Sequence, residues 1–179
     1  MVREISSMRI TKSFVSPTGA SNVVSRELDY QLGPRMGLSL LGVSGWFGEW
    51  DDSSLENTSD TIGTLMGMQS LHIETGTLET VPWEGGDDED VIDSEILYIQ
   101  TSVLTFVNDS TTEFRASQSR ETLPSGLVTF PRPVLTARNI THRGESFIAG
   151  QSASMGVLIY YVYVEFTLAE MGLLLARRS

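Results

Sequence analysis

The sequence predicts an all-β domain, a sandwich or barrel of about eight strands. Segments rich in β-branched and aromatic residues recur along the chain, and turn residues separate them. No long stretch repeats its apolar residues with the 3.6-residue period of an amphipathic helix. Short strands at such spacing are typical of sandwiches and barrels.

The length and composition indicate one folded domain. A chain of 179 residues with 40% hydrophobic residues can bury a two-layer core with only short arms left over. We therefore divide it into an N-terminal arm (1–21), a β-sandwich domain (22–168) and a C-terminal tail (169–179). The longest apolar run, 155–164, is far shorter than the roughly 20 residues of a membrane-spanning helix.

The first two predicted strands are 22–32 and 36–47, with a Gly33-Pro34 turn between them. The first alternates apolar and polar residues, as a half-buried strand does. The second is apolar but contains three glycines, each of which would weaken a helix. We interpret it as a bulged or closely approached strand.

Four strands are predicted in the middle of the chain, at 64–73, 96–107, 112–116 and 127–137. The polar segments 49–62 and 83–93 are predicted to be long solvated connections. Turn residues at 108–110 would let 112–116 pair back on 96–107 as a hairpin. Prolines 131 and 133 limit the helix and central-strand alternatives for the fourth strand.

The last two predicted strands are 145–149 and 156–168, and the second is the strongest strand pattern in the sequence. A short additional strand is expected at 8–15, within the N-terminal arm. The C-terminal tail is expected to be one helical turn or an irregular end.

The charge balance limits the partners of the protein. The formal net charge is -11, and Lys12 is the single lysine among twelve basic residues. Binding to phosphate backbones depends on Lys and Arg, so nucleic acid is not expected as a partner. The acidic balance fits either a protein from a salt-loving host or an ordinary acidic surface. Cysteine is absent, so disulfides and thiolate metal sites are excluded.

The strand 156–168 is apolar or aromatic on both faces, which is unusual for an antiparallel sandwich. One face carries Leu158, Tyr160, Val162, Val164 and Phe166, and the other carries Val157, Ile159, Tyr161, Tyr163 and Glu165. One face of such a strand normally meets water, so a second apolar face needs a further cover. We expect another subunit to cover the face of Val157, Ile159, Tyr161 and Tyr163. The alternative is that the arm or a long loop of the same chain covers it.

Three tryptophans are candidate ligand or interface aromatics. Trp46, Trp50 and Trp83 fall at a strand end and in loops, where exposed indoles stack on sugar rings or anchor interfaces. The alternative for each of them is ordinary packing in the core or at its rim.

No pattern in the sequence singles out a catalytic or metal centre. The acidic cluster at 87–93 has enough oxygens for calcium but lacks the spacing of a calcium loop, so we expect a solvated loop. His72 and His142 have no second histidine at ligand spacing. The segment 42–45 misses the Gly-x-Ser-x-Gly elbow of hydrolases. We expect neither an enzyme nor a bound cofactor.

The C-terminal quarter resembles a known family. The stretches ARNITHRGES (137–146), Gly150-Gln151 and GVLIYYVYVE (156–165) resemble the last two strands of icosahedral-virus capsid proteins. The order of the predicted strands resembles a jelly roll. The length and the acidic, lysine-poor balance are most similar to the small single jelly-roll capsid proteins of tailless, membrane-containing viruses of halophilic archaea and related bacterial viruses.

This resemblance implies a fold and a role. The expected fold is an eight-stranded antiparallel jelly-roll sandwich with long connecting loops. The expected role is a structural subunit of an icosahedral shell in the virion, in contact with copies of itself and other capsid proteins, near an internal viral membrane. Small RNA-virus capsid proteins usually have a strongly basic arm, whereas Arg3, Arg9 and Lys12 are here offset by Glu4. Direct contact with the genome is therefore not expected.

Two other classes of function stay open from the sequence alone. A carbohydrate-binding or host-attachment β-sandwich would use one of the three tryptophans together with loop carboxylates. A glycosidase or a cupin-type enzyme is a smaller alternative, because a metal-dependent cupin needs more histidines than this chain has. Fold alone does not decide between these classes.

Overall fold

The computed structural model describes residues 2–17, 23–51, 62–73, 95–108, 115–146 and 152–176. Within these residues ten strands and one helix form. The strands are β1 (Arg3–Glu4), β2 (Arg9–Val15), β3 (Val23–Leu28), β4 (Met36–Asp51), β5 (Ile62–Ile73), β6 (Glu95–Asn108), β7 (Arg115–Leu123), β8 (Leu127–Thr136), β9 (Ile140–Ser146) and β10 (Ser152–Glu165). The helix, α1, is Leu168–Ala176.

The strands form two antiparallel sheets of five strands each. In the first sheet the order is β10, β4, β8, with both β1 and β2 paired to the free side of β10. In the second sheet the order is β3, β9, β5, β6, β7. The prediction of an all-β sandwich is confirmed.

The strands pair in a nested way along the chain. The innermost pair is β5 with β6, and outward from it β4 pairs with β8, β3 with β9 and β2 with β10. Successive pairs, counted outward from β5 and β6, belong alternately to the second and the first sheet. The chain therefore crosses between the sheets from β2 to β5 and again from β7 to β10, at every connection between consecutive strands. This arrangement makes β10, the last strand, a central strand of the first sheet.

The main core lies between the two sheets. The first sheet contributes Leu38, Leu40 and Val43 from β4 and alternate residues of β10. The second sheet contributes Leu71, Tyr98 and Ile140. Each of these side chains is almost completely removed from water. The burial of apolar surface here is the main favourable term in folding.

Strand β9 is buried along its whole length although its sequence, ITHRGES, is mostly polar. The strand predicted at 145–149 begins earlier than expected, at Ile140, and 147–149 lie outside the described residues. The pattern was missed because buried polar residues do not give an apolar signature. Among them Arg143 and Glu145 form an ion pair of 3.6 Å with almost no exposure to water.

A hydrogen-bonded polar network joins the two sheets. The amide of Gln69 donates to the side-chain oxygen of Gln100 at 2.6 Å, and both glutamines also donate to β4 backbone carbonyls at 3.1 Å. The ring of His142 lies between Gln69 and Ser13 of β2, 3.0 Å from each. Such buried polar groups are tolerated because each has its partner.

Both ends of the described chain form regular secondary structure, a strand near the N terminus and a helix near the C terminus. The strand predicted at 8–15 forms as β2, and it is paired along its length with β10. The predicted strand 156–168 ends at Glu165. A helix of nine residues follows it, which is longer than the single helical turn that was one of the two expected ends. Thr167 and Glu170 cap this helix reciprocally: the Glu170 amide donates to the Thr167 hydroxyl, and the Thr167 amide donates to the Glu170 carboxylate.

We predict that Ile159→Ala lowers the free energy of unfolding by about 2 to 5 kcal/mol, because Ile159 is fully buried and the change leaves a cavity. Ile10 lies on the neighbouring strand but is 54% exposed, so Ile10→Ala is the matched control and should cost under about 1 kcal/mol. Urea denaturation of both variants measures the difference. An equal loss of unfolding free energy in both variants would contradict the burial of Ile159 in the core.

We also predict a loss of stability as the pH falls below about 6.5. Burial lowers the pKa of His142 to about 3 and the pKa of His72 to about 4, so both stay neutral in the folded chain while the unfolded chain takes up protons. Each histidine then lowers the free energy of unfolding by up to about 1.4 kcal/mol per pH unit between pH 6 and its folded pKa. Carboxylates add their own pH dependence, so His142→Gln is the control. Urea denaturation between pH 7 and 4.5 should show that the unfolding free energy of this variant falls less steeply with decreasing pH than that of the wild type. An unchanged pH dependence would contradict the burial of His142 as a neutral ring.

Candidate interaction surface

The outer face of the first sheet points away from the second sheet and carries a regular array of side chains. Since Val157, Ile159 and Tyr161 of β10 lie in the main core, the alternate residues face outward. Strand pairing aligns them in three rows with their neighbours on β2, β4 and β8. The rows are Phe14–Gly156–Trp46, Lys12–Leu158–Ser44–Leu127 and Ile10–Tyr160–Gly42–Thr129.

One half of this outer face is covered by the chain itself. Helix α1 lays Met171 and Leu174 against Val162, Val164 and Phe166. These three residues are almost fully buried by the helix together with four further side chains, Val2, Leu41, Leu135 and Ala137. The second cover that the two-faced strand requires is thus supplied, over this half, by the C-terminal segment of the same chain.

Within the described part of the chain, no element covers the other half of the outer face, and we call the eleven residues of its three rows the bare patch. Ile10 and Leu127 are each 54% exposed and Phe14 is 43% exposed. Between these apolar walls, Gly42 and Ser44 have very small side chains, whereas the indole of Trp46 fills the space over Gly156. The bare patch is therefore a shallow apolar depression on an otherwise acidic molecule.

Trp46 forms one end of the bare patch. Its indole lies directly over Gly156, where a Cβ atom would be 2.2 Å from ring carbon Cζ2. The ring meets that of Phe14 edge to face, with 5.3 Å between centroids. The Lys12 ammonium lies 4.4 Å from the Phe14 ring and 5.4 Å from the Trp46 ring. Trp46 is thus half-buried and held in place.

The side chains of the other two predicted aromatics, Trp50 and Trp83, lie outside the described residues. The backbone of Trp50 does lie in β4, opposite Ala153. Trp83 and the acidic cluster 87–93 also lie outside the described residues. The predictions for them stay predictions.

The predicted interface on β10 is corrected for three of its four residues. Val157, Ile159 and Tyr161 are buried inside one chain, because the second sheet covers this face. Tyr163 is half-buried at the rim of the same core, and the prediction for it stays a prediction. The residues of β10 that face away from the second sheet at this level are Leu158 and Tyr160, both half-buried.

A separate cleft of about 390 Å³ opens at the edge of the sandwich, between β2 and the end of β3. Its aromatic wall consists of Tyr30, Tyr161 and Tyr163, whose neighbouring rings meet edge to face with 5.1 and 5.5 Å between centroids. Asp29 and Glu27 also line it. Burial, followed by the proximity of Tyr161, raises the pKa of Tyr30, so its hydroxyl stays protonated.

The described residues contain no group of His, Asp and Glu side chains that could hold a metal ion. His72 and His142 are buried in separate hydrogen bonds, to Ser70 in the first case and to Ser13 and Gln69 in the second. Among the same residues, no helix is long and apolar enough to cross a membrane.

No protein-family model matches this chain, and neither does any curated protein. The interpretation of its function therefore depends on its fold and its surfaces.

We predict that Gly156→Ala displaces Trp46, because the new methyl group would overlap the indole. The expected result is a red-shifted tryptophan emission that disappears in a Trp46→Phe background, together with a loss of stability. Gly172→Ala is the control, since a Cβ there meets nothing within 4 Å. In mid-helix it should stabilise the chain by about 0.5 to 1 kcal/mol. An unchanged Gly156→Ala emission spectrum would contradict the packing of Trp46.

Proposed function

We propose that this chain is a single jelly-roll capsid subunit that assembles into an icosahedral virion shell. The observation that carries the proposal is the nested strand pairing. A jelly roll consists of two Greek keys in which the first strand pairs with the last and each inner pair follows in turn. The pairs β2 with β10, β3 with β9, β4 with β8 and β5 with β6 follow this rule.

The order of strands within each sheet supports the same fold. Eight of the strands form the orders β2–β10–β4–β8 and β3–β9–β5–β6. The remaining strands, β1 and β7, extend the two sheets at their edges. The jelly roll is used by viral capsids, lectins and cupins alike, so surfaces must decide between these functions.

The bare patch supports a role in assembly. Exposed apolar side chains that cluster on one face usually mark a site of contact with another macromolecule. The described part of the chain offers no metal group that would favour a cupin-type enzyme. We propose no catalytic activity and no cofactor for this subunit.

The partners follow from charge and from the position of the N-terminal segment. Arg9 and Lys12 belong to β2, which is paired to β10 rather than extended as a free basic arm. With a net charge of -11, contact with the genome is not part of the proposal. The proposed partners are copies of this chain and other capsid proteins, with an internal viral membrane nearby. A salt-loving host accounts for the acidic balance.

The test is assembly of the purified protein across a salt series from 0.1 to 1 M. Subunits that each carry a charge of -11 repel one another, and screening shortens the range of this repulsion from about 10 to about 3 Å. We expect species far larger than dimers to grow with salt, in dynamic light scattering and electron microscopy. If particles need a companion protein, adding the other virion proteins should produce them. A chain that stays monomeric under all these conditions would contradict the proposal.

A carbohydrate-binding or host-attachment module is the second candidate, and the tyrosine-lined cleft is the observation that favours it. Aromatic rings beside carboxylates are a common way of binding sugars. A glycan array separates the two functions. Specific binding that Tyr163→Ala abolishes, by a protein that never assembles, would favour the attachment module.

A further inference from the structure

Helix α1 is apolar on both its sheet-facing and its solvent-facing sides. Its sequence, LAEMGLLLA, contains one charged residue, Glu170. Met171 and Leu174 pack on the first sheet, yet Leu168 is 77% exposed and Leu173 is 65% exposed. A helix that is apolar all round is normally buried on all sides. The outer side of α1 therefore lacks a cover, just as the bare patch beside it does.

The two uncovered surfaces match each other in size. A helix of nine residues is about 13 Å long and about 10 Å wide. The bare patch runs from Gly156 to Tyr160 along β10, about 13 Å, and from β2 to β8 across three strand spacings, about 14 Å. Since α1 already packs on the same sheet, a second helix beside it would lie in the same layer.

We propose that a second copy of this chain packs on the bare patch and that the contact is a two-fold one. Each copy lays Leu168 and Leu173 of α1 on the bare patch of the other. The two helices then lie side by side between two first sheets. Since the helix and the patch lie on one face of one chain, a two-fold axis satisfies both contacts at once and closes the pair. This inference rests on the proposed function, of which it would be one contact.

The charges of the two surfaces allow this approach. The bare patch contains no carboxylate, and Lys12 is its one charged residue. The one charge of α1 is negative, on Glu170. On a chain with a net charge of -11, this face is thus a place where a second acidic copy can approach without meeting facing carboxylates.

A membrane surface fits the same face less well. Binding to anionic lipids relies on clusters of Lys and Arg, each worth about 1 kcal/mol near the surface. The bare patch offers a single lysine, and the acidic chain as a whole would be repelled. Lipid binding is therefore an outcome of the test rather than the proposal.

The test is sedimentation equilibrium of the full chain with complementary variants. The helix variant is Leu168→Asp with Leu173→Asp, and the patch variant is Ile10→Asp with Leu127→Asp. Each should weaken dimerisation at least about 30-fold, as expected for the loss of central apolar contacts. The control is Leu123→Asp, which places the same charge at a leucine that is 58% exposed on the second sheet and should leave the dimer unchanged.

Mixing the helix variant with a lysine version of the patch variant, Ile10→Lys with Leu127→Lys, tests the two-fold geometry. Each of these two variants alone loses both helix-to-patch contacts, whereas a mixed pair keeps one intact helix on one intact patch and sets Asp against Lys in the other contact. The mixture should therefore form a heterodimer that neither variant forms as a homodimer. Far-ultraviolet circular dichroism checks that both fold, and Leu168→Ala with Leu173→Ala repeats the test if the charged variant does not.

The outcomes separate this inference from the proposed function. Particles that form equally well from both variants would overturn the two-fold contact and leave the shell role standing. Dimers that behave as expected but never grow larger, even with the other virion proteins, would overturn the shell role alone. Flotation of a monomeric wild-type chain with anionic vesicles, lost in both variants, would overturn the two-fold contact in favour of a lipid surface.

Discussion

The structure depends on one strand that is apolar on both faces. Strand β10 is central in the first sheet, and it is paired with β2 on one side and β4 on the other. Its inner face forms the core with the second sheet, while its outer face must also be kept from water. Helix α1 meets this requirement over Val162, Val164 and Phe166. Over Leu158 and Tyr160, which are half-buried, we propose that a second copy supplies the cover.

This constraint also explains the positions of the chain ends. The N-terminal segment is needed as β2 to pair with β10, and the C-terminal segment is needed as α1 to cover it. The nested topology brings both ends to the same sheet. An arm and a tail, which look dispensable in the sequence, are thereby part of the folded unit. Gly42 and Ser44 leave a shallow depression on the remaining outer face, while Gly156 makes room for the indole of Trp46.

Apolar alternation was enough to predict most strands. The segments 36–47, 64–73 and 96–107 correspond to β4, β5 and β6, because they are rich in apolar and β-branched residues even though some of their buried side chains are polar. Strand β9 was not predicted at its observed position, because its buried residues are mostly polar and are held by hydrogen bonds and an ion pair. Helix α1 was expected only as one helical turn or an irregular end, although Thr167 and Glu170 have the spacing of a capping box.

The surface was harder to predict than the fold. Both faces of β10 are apolar, so the sequence held no sign of which face would meet the second sheet. The prediction of Val157, Ile159 and Tyr161 as interface residues was wrong for this reason, whereas the prediction for Tyr163 stays a prediction. Trp46 lies half-buried on the outer face. Pairing between distant strands decides the matter, because it aligns Phe14, Gly156 and Trp46 in one row. Strand spacing in the sequence does not contain that alignment.

Disulfide cross-linking decides whether a second copy covers the bare patch, because the chain itself contains no cysteine. One preparation carries Leu173→Cys in α1 and the other carries Ser44→Cys in the bare patch. After mild oxidation of the mixture, we expect a disulfide-linked dimer between the two preparations on a non-reducing gel. Leu173→Cys mixed with Leu123→Cys, on the second sheet, should give only background linking. Equal linking to both positions, or none to Ser44→Cys, would contradict the claim that a second copy covers the bare patch.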